Sequence, residues 1–169
     1  MNDRIPHFTV NQKTLQRMNN KFLTGLFMGA KLPLALVAGL RVEHVTPDEA
    51  QVSLPYGWRN QNPFRSIYFA AQSMAAEMST GILGQLACDS VEDSIAMLVV
   101  KCEGEFFKKA TARTTFSCSQ GKDFFTAIQK TMETGEAVTV SAISEGKMKD
   151  GTITSRFIFT WSFKKRSKT

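Results

Sequence analysis

The chain has 169 residues, of which 43% are hydrophobic and 21% are charged, as expected for a single globular domain. This composition excludes a disordered chain, a collagen-like repeat and a coiled coil. Lys and Arg number 21 against 15 Asp and Glu, and the net charge of +6 suits an anionic ligand, a phosphate-bearing cofactor or nucleic acid without selecting one.

The first half of the chain predicts an N-terminal helix, two short strands and a long central helix. Apolar residues three or four positions apart predict the first helix at 9–31, followed by a proline-containing turn. Short strands are predicted at 39–44 and 50–54. A loop rich in Asn, Gly and Pro then occupies 56–65, and the uninterrupted helical spacing that follows predicts the central helix at 66–87.

In the second half, the period of the apolar residues changes to two, which predicts strands. The nearly continuous apolar run at 95–100 is typical of a strand buried in the centre of a sheet. Three more strands and one helix are predicted, in chain order, at 112–118, 123–133 (the helix), 138–142 and 153–163. Short connections favour antiparallel pairing, so residues 1–169 are predicted to form one α+β domain with a six-stranded sheet on one long helix.

The central helix has an unusual composition, because small residues dominate it and it carries almost no charge. Each of its glycines, Gly81 and Gly84, costs about 1 kcal/mol of helix propensity, which a curved sheet packed closely around a thin helix would offset. Glu77 is the only charged residue between Arg65 and Asp89. A helix glutamate is usually solvated, but on a mostly buried helix an unpaired carboxylate is costly and becomes a functional candidate.

The spacing around Glu77 matches a known pattern. Asn62 lies six residues before Tyr68, and Glu77 lies nine residues after it. This spacing resembles the hotdog-fold acyl-CoA thioesterases, in which a loop Asn precedes a His-Gly-Gly helix start and an acidic residue follows nine positions after the His. Most of residues 30–163, including the closing aromatic strand with Trp161, is similar to a less characterised branch near the phenylacetyl-CoA thioesterase-like proteins.

The resemblance implies a hotdog fold, a curved antiparallel six-stranded sheet wrapped around a long central helix. It also implies a homodimer or dimer of dimers with a continuous sheet, an acyl site at the subunit interface, and hydrolysis of an acyl-CoA or related thioester. Glu77 would be general base or nucleophile, the Phe69 backbone N–H the oxyanion donor, and Asn62 would orient the water or the thioester. The predicted substrate-binding residues are Ser66, Tyr68, Ser73 and Thr80. No cofactor is implied, since coenzyme A enters as part of the substrate.

The helix start departs from the pattern, because Tyr68, Phe69 and Ala70 stand in place of His-Gly-Gly. Tyr68 can donate a hydrogen bond but cannot act as a base near neutral pH. Phe69 replaces a glycine that would let substrate approach the backbone closely. These replacements leave a second function open, that of a non-catalytic acyl- or lipid-binding hotdog protein. Ser66, with no histidine near it in sequence, is predicted to be the helix N-cap rather than a nucleophile.

The remaining features favour a cytoplasmic protein that inserts in no membrane and binds no nucleic acid. Lys31 and Pro33 interrupt the apolar stretch 22–40, which is therefore predicted to be neither a signal peptide nor a membrane span. The basic tail at 164–169 holds four of the cations, and the chain without them carries only +2, which weakens the case for nucleic acid. This tail serves either solubility or the phosphates of coenzyme A.

The cysteines and histidines give no metal or disulfide signal. Cys88, Cys102 and Cys118 form no CxxC pair, so they are predicted to be reduced and to pack as small apolar groups. His7 and His44 stand at no metal-ligand spacing, and a structural zinc site is not predicted.

Overall fold

The computed structural model describes residues 9–167, so His7 and Lys168 lie outside the described part of the chain. The helices and strands follow one another in the predicted chain order, except that additional short helices precede the first strand. Their bounds are α1 (Gln12–Asn19), α2 (Lys21–Lys31), α3 (Pro33–Ala38), β1 (Arg41–Val45), β2 (Ala50–Leu54), α4 (Phe69–Asp89), β3 (Ile95–Phe106), β4 (Thr114–Cys118), α5 (Gly121–Thr134), β5 (Val138–Met148) and β6 (Ile153–Lys165).

The six strands form one antiparallel sheet in the order β1-β2-β4-β5-β6-β3. The helix α4 contacts every strand of this sheet, which curves around it. The predicted antiparallel pairing and the prediction of a sheet wrapped around one long helix are both confirmed. Asp150 and Gly151 lie in the turn that joins β5 to β6, where Gly151 has a positive φ of 89°.

Small residues let the sheet approach α4 closely. A Cβ atom at Gly84 would lie 2.7 Å from Met97 Cε and 3.1 Å from Phe163 Cζ, so a larger residue would have to displace both side chains. Eleven of the 21 residues of α4 are buried. Packing against the sheet therefore supplies the tertiary contact that offsets the low helix propensity of the glycines.

The core lies between α4, α5 and the inner face of β6. Phe157, Phe159, Trp161 and Phe163 are all buried on that face, as the alternation in the sequence predicts. Phe163 meets Phe124 of α5 edge to face, with ring centroids 5.9 Å apart. This aromatic layer fixes α4 against the last strand and so determines which face of α4 stays open.

The prediction of one continuous N-terminal helix at 9–31 is wrong. Asn20 has an extended backbone (ψ 107°) and separates α1 from α2, and its side chain accepts hydrogen bonds from the backbone N–H groups of Phe22 and Leu23, each at 3.1 Å. After Lys31 the chain forms α3 instead of turning directly into a strand. Pro33 at its first position and Gly39 in the left-handed conformation (φ 81°) bound this short helix.

The prediction that 95–100 is a central strand is also wrong. β3 is an edge strand, paired only with β6, and Leu98 and Val100 are 65% and 51% exposed. An apolar run looks the same in sequence whether its faces are covered by the chain itself or by another molecule. The run therefore begins a strand of 12 residues whose outer edge pairs with no other strand among residues 9–167.

Two smaller predictions need correction. Lys164 and Lys165 belong to β6 rather than to a free tail, and Lys165 Nζ lies 2.9 Å from Asp93 Oδ2. Cys102 lies exposed on β3 instead of packing as an apolar group. Cys88 and Cys118 do pack inside, and burial raises the pKa of Cys88 to about 12 and of Cys118 to about 11.

Candidate active site

The segment leading into α4 is extended rather than helical. The Ile67 backbone N–H donates to the Ala110 carbonyl at 2.8 Å, and the Tyr68 N–H donates to the Asn60 carbonyl at 2.7 Å. These bonds hold Tyr68 at ψ 136°, so the helix begins at Phe69 and Tyr68 takes the N-cap position. The prediction of Ser66 as N-cap is therefore wrong, because the backbone of this segment is already bonded as a strand would be.

Asn62 and Ser66 lie together in the turn before this segment. The Asn62 side-chain oxygen accepts from the backbone N–H of Phe64 at 3.0 Å and of Ser66 at 3.2 Å, and its amide nitrogen donates to Ser66 Oγ at 3.1 Å. Arg65, between them, has a positive φ of 59°, which the turn imposes. The Asn62 amide thus fixes the turn, and Ser66 is buried behind it.

The beginning of α4 presents unused hydrogen-bond donors. Tyr68 gives no side-chain cap, and the first intrahelical bond runs from the Gln72 N–H to the Tyr68 carbonyl at 3.2 Å. Among residues 9–167, no acceptor meets the backbone N–H groups of Phe69, Ala70 and Ala71. Such N–H groups, together with the helix dipole, stabilise negative charge. The predicted oxyanion donor therefore has its N–H free.

Aromatic rings surround these donors. Tyr68 and Phe69 are 47% and 55% exposed, and their ring centroids lie 4.9 Å apart. Phe69 also meets Phe106 of β3 at 6.3 Å, and Phe106 meets the buried Phe157 at 5.5 Å. The rings form an apolar strip from the helix start to the edge strand. Phe106 was not among the predicted site residues, since nothing in its local sequence signals this contact.

Glu77 lies on the one face of α4 that the sheet does not cover. Phe69, Ser73, Glu77 and Gly81 follow each other at intervals of four along this face, and none of the four is fully buried. Within residues 9–167 the Glu77 carboxylate makes no hydrogen bond and no ion pair. Partial burial without a partner raises the pKa of this carboxyl.

Gly81 and Trp161 form the wall next to the carboxylate. A Cβ atom at Gly81 would lie 3.2 Å from the Trp161 ring and 3.4 Å from Glu77 Oε1, so the missing side chain leaves room for both. The fully buried Thr80 accepts a hydrogen bond from Trp161 Nε1 and donates one to the Glu77 carbonyl, each at 2.9 Å. The hydroxyl of Thr80 thus anchors the wall. Sequence reasoning missed Gly81 as a site residue, although its position four residues after Glu77 is a visible signal.

The predicted oxyanion donor and the predicted catalytic carboxylate are well separated within one chain. Glu77 lies eight positions after Phe69, which corresponds to about 12 Å along a helix axis. An oxyanion donor must lie about 3 Å from the oxygen that it stabilises. Phe69 therefore lies about two helical turns before Glu77, which favours a site that takes the N–H and the carboxylate from different chains.

Other parts of the described chain offer no competing centre. No three His, Cys, Asp or Glu side chains of residues 9–167 group as a metal ion would require. Two clefts near Asp93, Lys165 and Arg166 contain none of the predicted site residues. In the part of the chain that the structure describes, no helix combines the length and the apolar character needed to cross a bilayer.

Comparison with solved structures identifies proteins of similar fold. A structure from Chlorobaculum tepidum, of a protein of unknown function, has a TM-score of 0.74 at 14% identity and covers 94% of this chain and 98% of its own. The PaaI protein of the Escherichia coli phenylacetic acid degradation operon gives 0.62 at 15%, covering 95% and 99%. A thioesterase from Haemophilus influenzae gives 0.60 at 9%, covering 86% and 91%. At these identities the likeness shows the fold alone.

A match to a sequence-family model shows which family the chain belongs to. Among curated proteins, none matches this chain. The model of a domain of unknown function, DUF4442, matches residues 21–162 and so spans α2 through most of β6. The chain therefore belongs to the DUF4442 family and has the hotdog fold of the thioesterase-like proteins.

Proposed function

We propose that this protein hydrolyses an acyl-CoA or a related acyl thioester, with Glu77 as the catalytic carboxylate. The observation that carries the proposal is the Glu77 carboxylate, which has no partner among residues 9–167 and lies on the open face of a mostly buried helix whose one other charged residue is the terminal Asp89. An unpaired, partly buried carboxylate costs stability, and its raised pKa makes it a stronger base. The fold of the thioesterase-like neighbours supports the same reaction class.

A second copy of the chain would complete the site. Since about 12 Å separate Phe69 from Glu77 along one helix, the Phe69 N–H of the partner subunit would serve the Glu77 of the first. The 12-residue edge of β3 supports such a pairing, because it is long, begins with the apolar run at 95–100, and pairs on its outer side with no other strand of residues 9–167. Phe106, at the end of β3, links this edge to Phe69. A homodimer with one continuous sheet, alone or as half of a dimer of dimers, would follow from pairing at this edge.

In this site a water molecule attacks the thioester carbonyl carbon while Glu77 accepts a proton from the water. The carbonyl oxygen becomes negative, and the N–H groups at the start of α4 stabilise it. When the tetrahedral intermediate collapses, the carbon–sulfur bond breaks, and the protonated Glu77 returns its proton to the leaving thiolate. The products are a carboxylic acid and free thiol, and no cofactor takes part. Alternatively, the Glu77 carboxylate attacks the carbonyl carbon and expels the thiolate as the carbon–sulfur bond breaks, and water then hydrolyses the resulting anhydride to the carboxylic acid and free Glu77.

Among the other site residues, Tyr68 and Ser73 are open to a substrate on the Glu77 face. The Tyr68 hydroxyl can donate to a thioester or to the coenzyme A portion. Asn62, Ser66 and Thr80 already use their polar groups within the chain. They would act by holding the turn and the Trp161 wall, which is a narrower role than direct contact with the substrate or the attacking water.

The exposed rings favour a second candidate function, acyl or lipid binding without turnover. Phe69 stands where a close approach to the helix backbone needs a small residue, and its ring joins Tyr68 and Phe106 in an apolar strip. Such a strip binds an acyl chain equally well whether or not the thioester is cleaved. Tight binding of acyl-CoA without release of thiol would favour this function over hydrolysis.

The test of hydrolysis measures thiol release from acyl-CoAs of increasing chain length and from phenylacetyl-CoA. Wild type is compared with Glu77→Gln, and Glu133→Gln serves as the control because Glu133 is an exposed helix glutamate on α5. We expect Glu77→Gln to lose about 10²- to 10⁴-fold in kcat/KM and the control to lose nothing. Equal rates for wild type and Glu77→Gln would remove Glu77 from the mechanism.

The test of the shared site uses Phe69→Pro, which removes the oxyanion N–H without breaking the helix. Proline is favoured at the first helical position, and Tyr68 already has the backbone that a residue before proline adopts. Phe69→Ala is the control, since it removes the ring and keeps the N–H. Each of the Glu77→Gln and Phe69→Pro chains alone should be inactive, whereas equal mixing after subunit exchange should restore about a quarter of the wild-type sites. No restoration would place both groups in one chain.

A further inference from the structure

The outer surface of α2 and α3 is apolar and exposed. We call this surface the α2–α3 face. Its eight large apolar side chains are between 40% and 77% exposed, and they are Phe22, Leu23, Leu26, Phe27, Leu32, Leu34, Leu36 and Val37. Monomeric soluble proteins rarely expose so many contiguous apolar side chains, and such patches mark sites of interaction with proteins or membranes.

The α2–α3 face is presented on a rigid support. Met28, Ala35 and Ala38 point inward from the same two helices and are buried in the core. Asn19, just before α2, donates to the Val45 carbonyl at 2.8 Å and accepts from the Val45 N–H at 3.0 Å, so the start of α2 is tied to β1. The exposed side chains therefore belong to anchored helices and not to an unpacked segment.

The charges around this face are mostly positive. No Asp or Glu occurs between Thr9 and Val42, whereas five cations do, and all five are exposed: Lys13, Arg17, Lys21, Lys31 and Arg41. Within residues 9–167, Lys21 is the one of these five cations with an anionic partner, Glu43, at 3.3 Å. A helix surface with bulky apolar side chains and flanking cations has the chemistry that binds anionic lipid headgroups and the upper acyl region.

The α2–α3 face lies far from the β3 edge, so it is free to bind a partner of its own. The helices α1 and α2 contact β1, which is at one end of the sheet, whereas β3 is at the opposite end. We infer that the α2–α3 face docks on an anionic membrane surface, with α2 lying in the plane of the headgroups. At 11 residues, α2 is about 16 Å long and far too short to cross the bilayer. This inference does not depend on the proposed hydrolysis.

The experiment is flotation with vesicles of phosphatidylcholine containing 30 mol% phosphatidylserine, and with vesicles of phosphatidylcholine alone. The triple variant Phe22→Ser, Leu26→Ser, Phe27→Ser should lower the partition coefficient by at least about tenfold, since three large side chains no longer enter the lipid. A double variant of two other exposed aromatics, Trp58→Ser and Phe64→Ser, is the control and should bind as wild type does.

The charge contribution is tested separately with Lys31→Gln. Each cation near an anionic membrane contributes about 1 kcal/mol, so this variant should lose about fivefold in partition on the phosphatidylserine vesicles and nothing on the neutral ones. Raising the salt concentration should weaken wild-type binding in the same direction.

A third measurement tests the inference without the triple variant, in case that variant does not fold. The single variant Phe27→Trp should show tryptophan quenching by lipids brominated on the acyl chain, whereas Phe64→Trp should show none beyond the wild-type signal. Absence of vesicle binding by wild type, full binding by the folded triple variant, or equal quenching at both positions would each overturn the inference. So would a wild-type tetramer that the triple variant converts to dimers, because a second copy would then cover the face.

Discussion

Replacing Glu77 with glutamine removes a charge while keeping the volume of the side chain, so this substitution isolates what the charge does to stability and to activity. In the folded chain, burial without a partner raises the pKa of Glu77. In the unfolded chain the same group titrates near about 4.3. Between these two pH values the folded state binds more protons than the unfolded state, so the wild-type free energy of unfolding falls as the pH rises.

The expected result follows from that linkage. Below the unfolded pKa, Glu77 is protonated in both states and the penalty is absent; above the folded pKa, the penalty is complete. Glu77→Gln should therefore match wild type at pH 4 and exceed it at pH 7.5. The gain is about 1.4 kcal/mol for every pH unit between the two pKa values. Each kcal/mol corresponds to about 2–4 °C in Tm for a chain of this size.

The assay is urea denaturation of wild type, Glu77→Gln and Glu133→Gln at pH 4, 5.5 and 7.5, with thiol release measured on the same samples at pH 7.5. Glu133→Gln should follow wild type, because Glu133 is exposed and bonded only to its helix neighbour Gln129. A stability difference between Glu77→Gln and wild type that does not change with pH would show that the Glu77 charge is solvated or paired. The reasoning that makes this carboxylate a poised base would then fail.

Three further predictions concern the Trp161 wall, the packing of Gly121 against Pro47, and the edge of β3. Thr80→Val leaves the buried Trp161 Nε1–H without an acceptor, and thermal denaturation should show a loss of about 1–3 kcal/mol, with a lower hydrolysis rate if the ring moves. Gly121→Ala places a Cβ atom 1.9 Å from the Pro47 carbonyl oxygen, so the free energy of unfolding should fall by about 1–3 kcal/mol or more; wild-type stability would contradict the geometry. Leu98→Arg puts a charge on the exposed edge strand, and light scattering should report monomers where wild type gives dimers.

The sequence predicts those parts of the fold that local patterns determine. The alternation in β6 gives its buried face correctly from Phe157 to Phe163, and the helical spacing of α4 places the central helix within three residues of its observed ends. Glu77 could be found because it is the only charged residue between Arg65 and Asp89, in a long run of small and apolar residues. That signal depends on composition alone and needs no knowledge of long-range contacts.

Features that depend on distant contacts could not be read from the sequence. The hydrogen bond from Trp161 to Thr80 joins residues 81 positions apart, and no local pattern indicates it. Ser66 has the residue type of an N-cap, but the bond from the Ile67 N–H to Ala110 keeps this segment extended and moves the helix start to Phe69. The apolar run in β3 was assigned to the sheet centre because sequence does not tell which molecule covers a strand.

The places where the chain departs from rules of stable packing lie along one boundary of the molecule. Among residues 9–167, Glu77 is a partly buried carboxylate without a partner, the N–H of Phe69 lacks an acceptor, and Gly81 gives up helix propensity next to Trp161. The outer edge of β3, unpaired within the same residues, exposes Leu98 and Val100 and is connected to Phe69 through Phe106. Each departure costs free energy in the isolated chain, and pairing of two chains at this edge would use the exposed strand. Since natural sequences violate packing rules chiefly at functional sites, the grouping of these departures favours a site built by two copies. The Phe69→Pro and Glu77→Gln mixing experiment tests that arrangement directly: activity restored on mixing requires that the N–H and the carboxylate come from different chains.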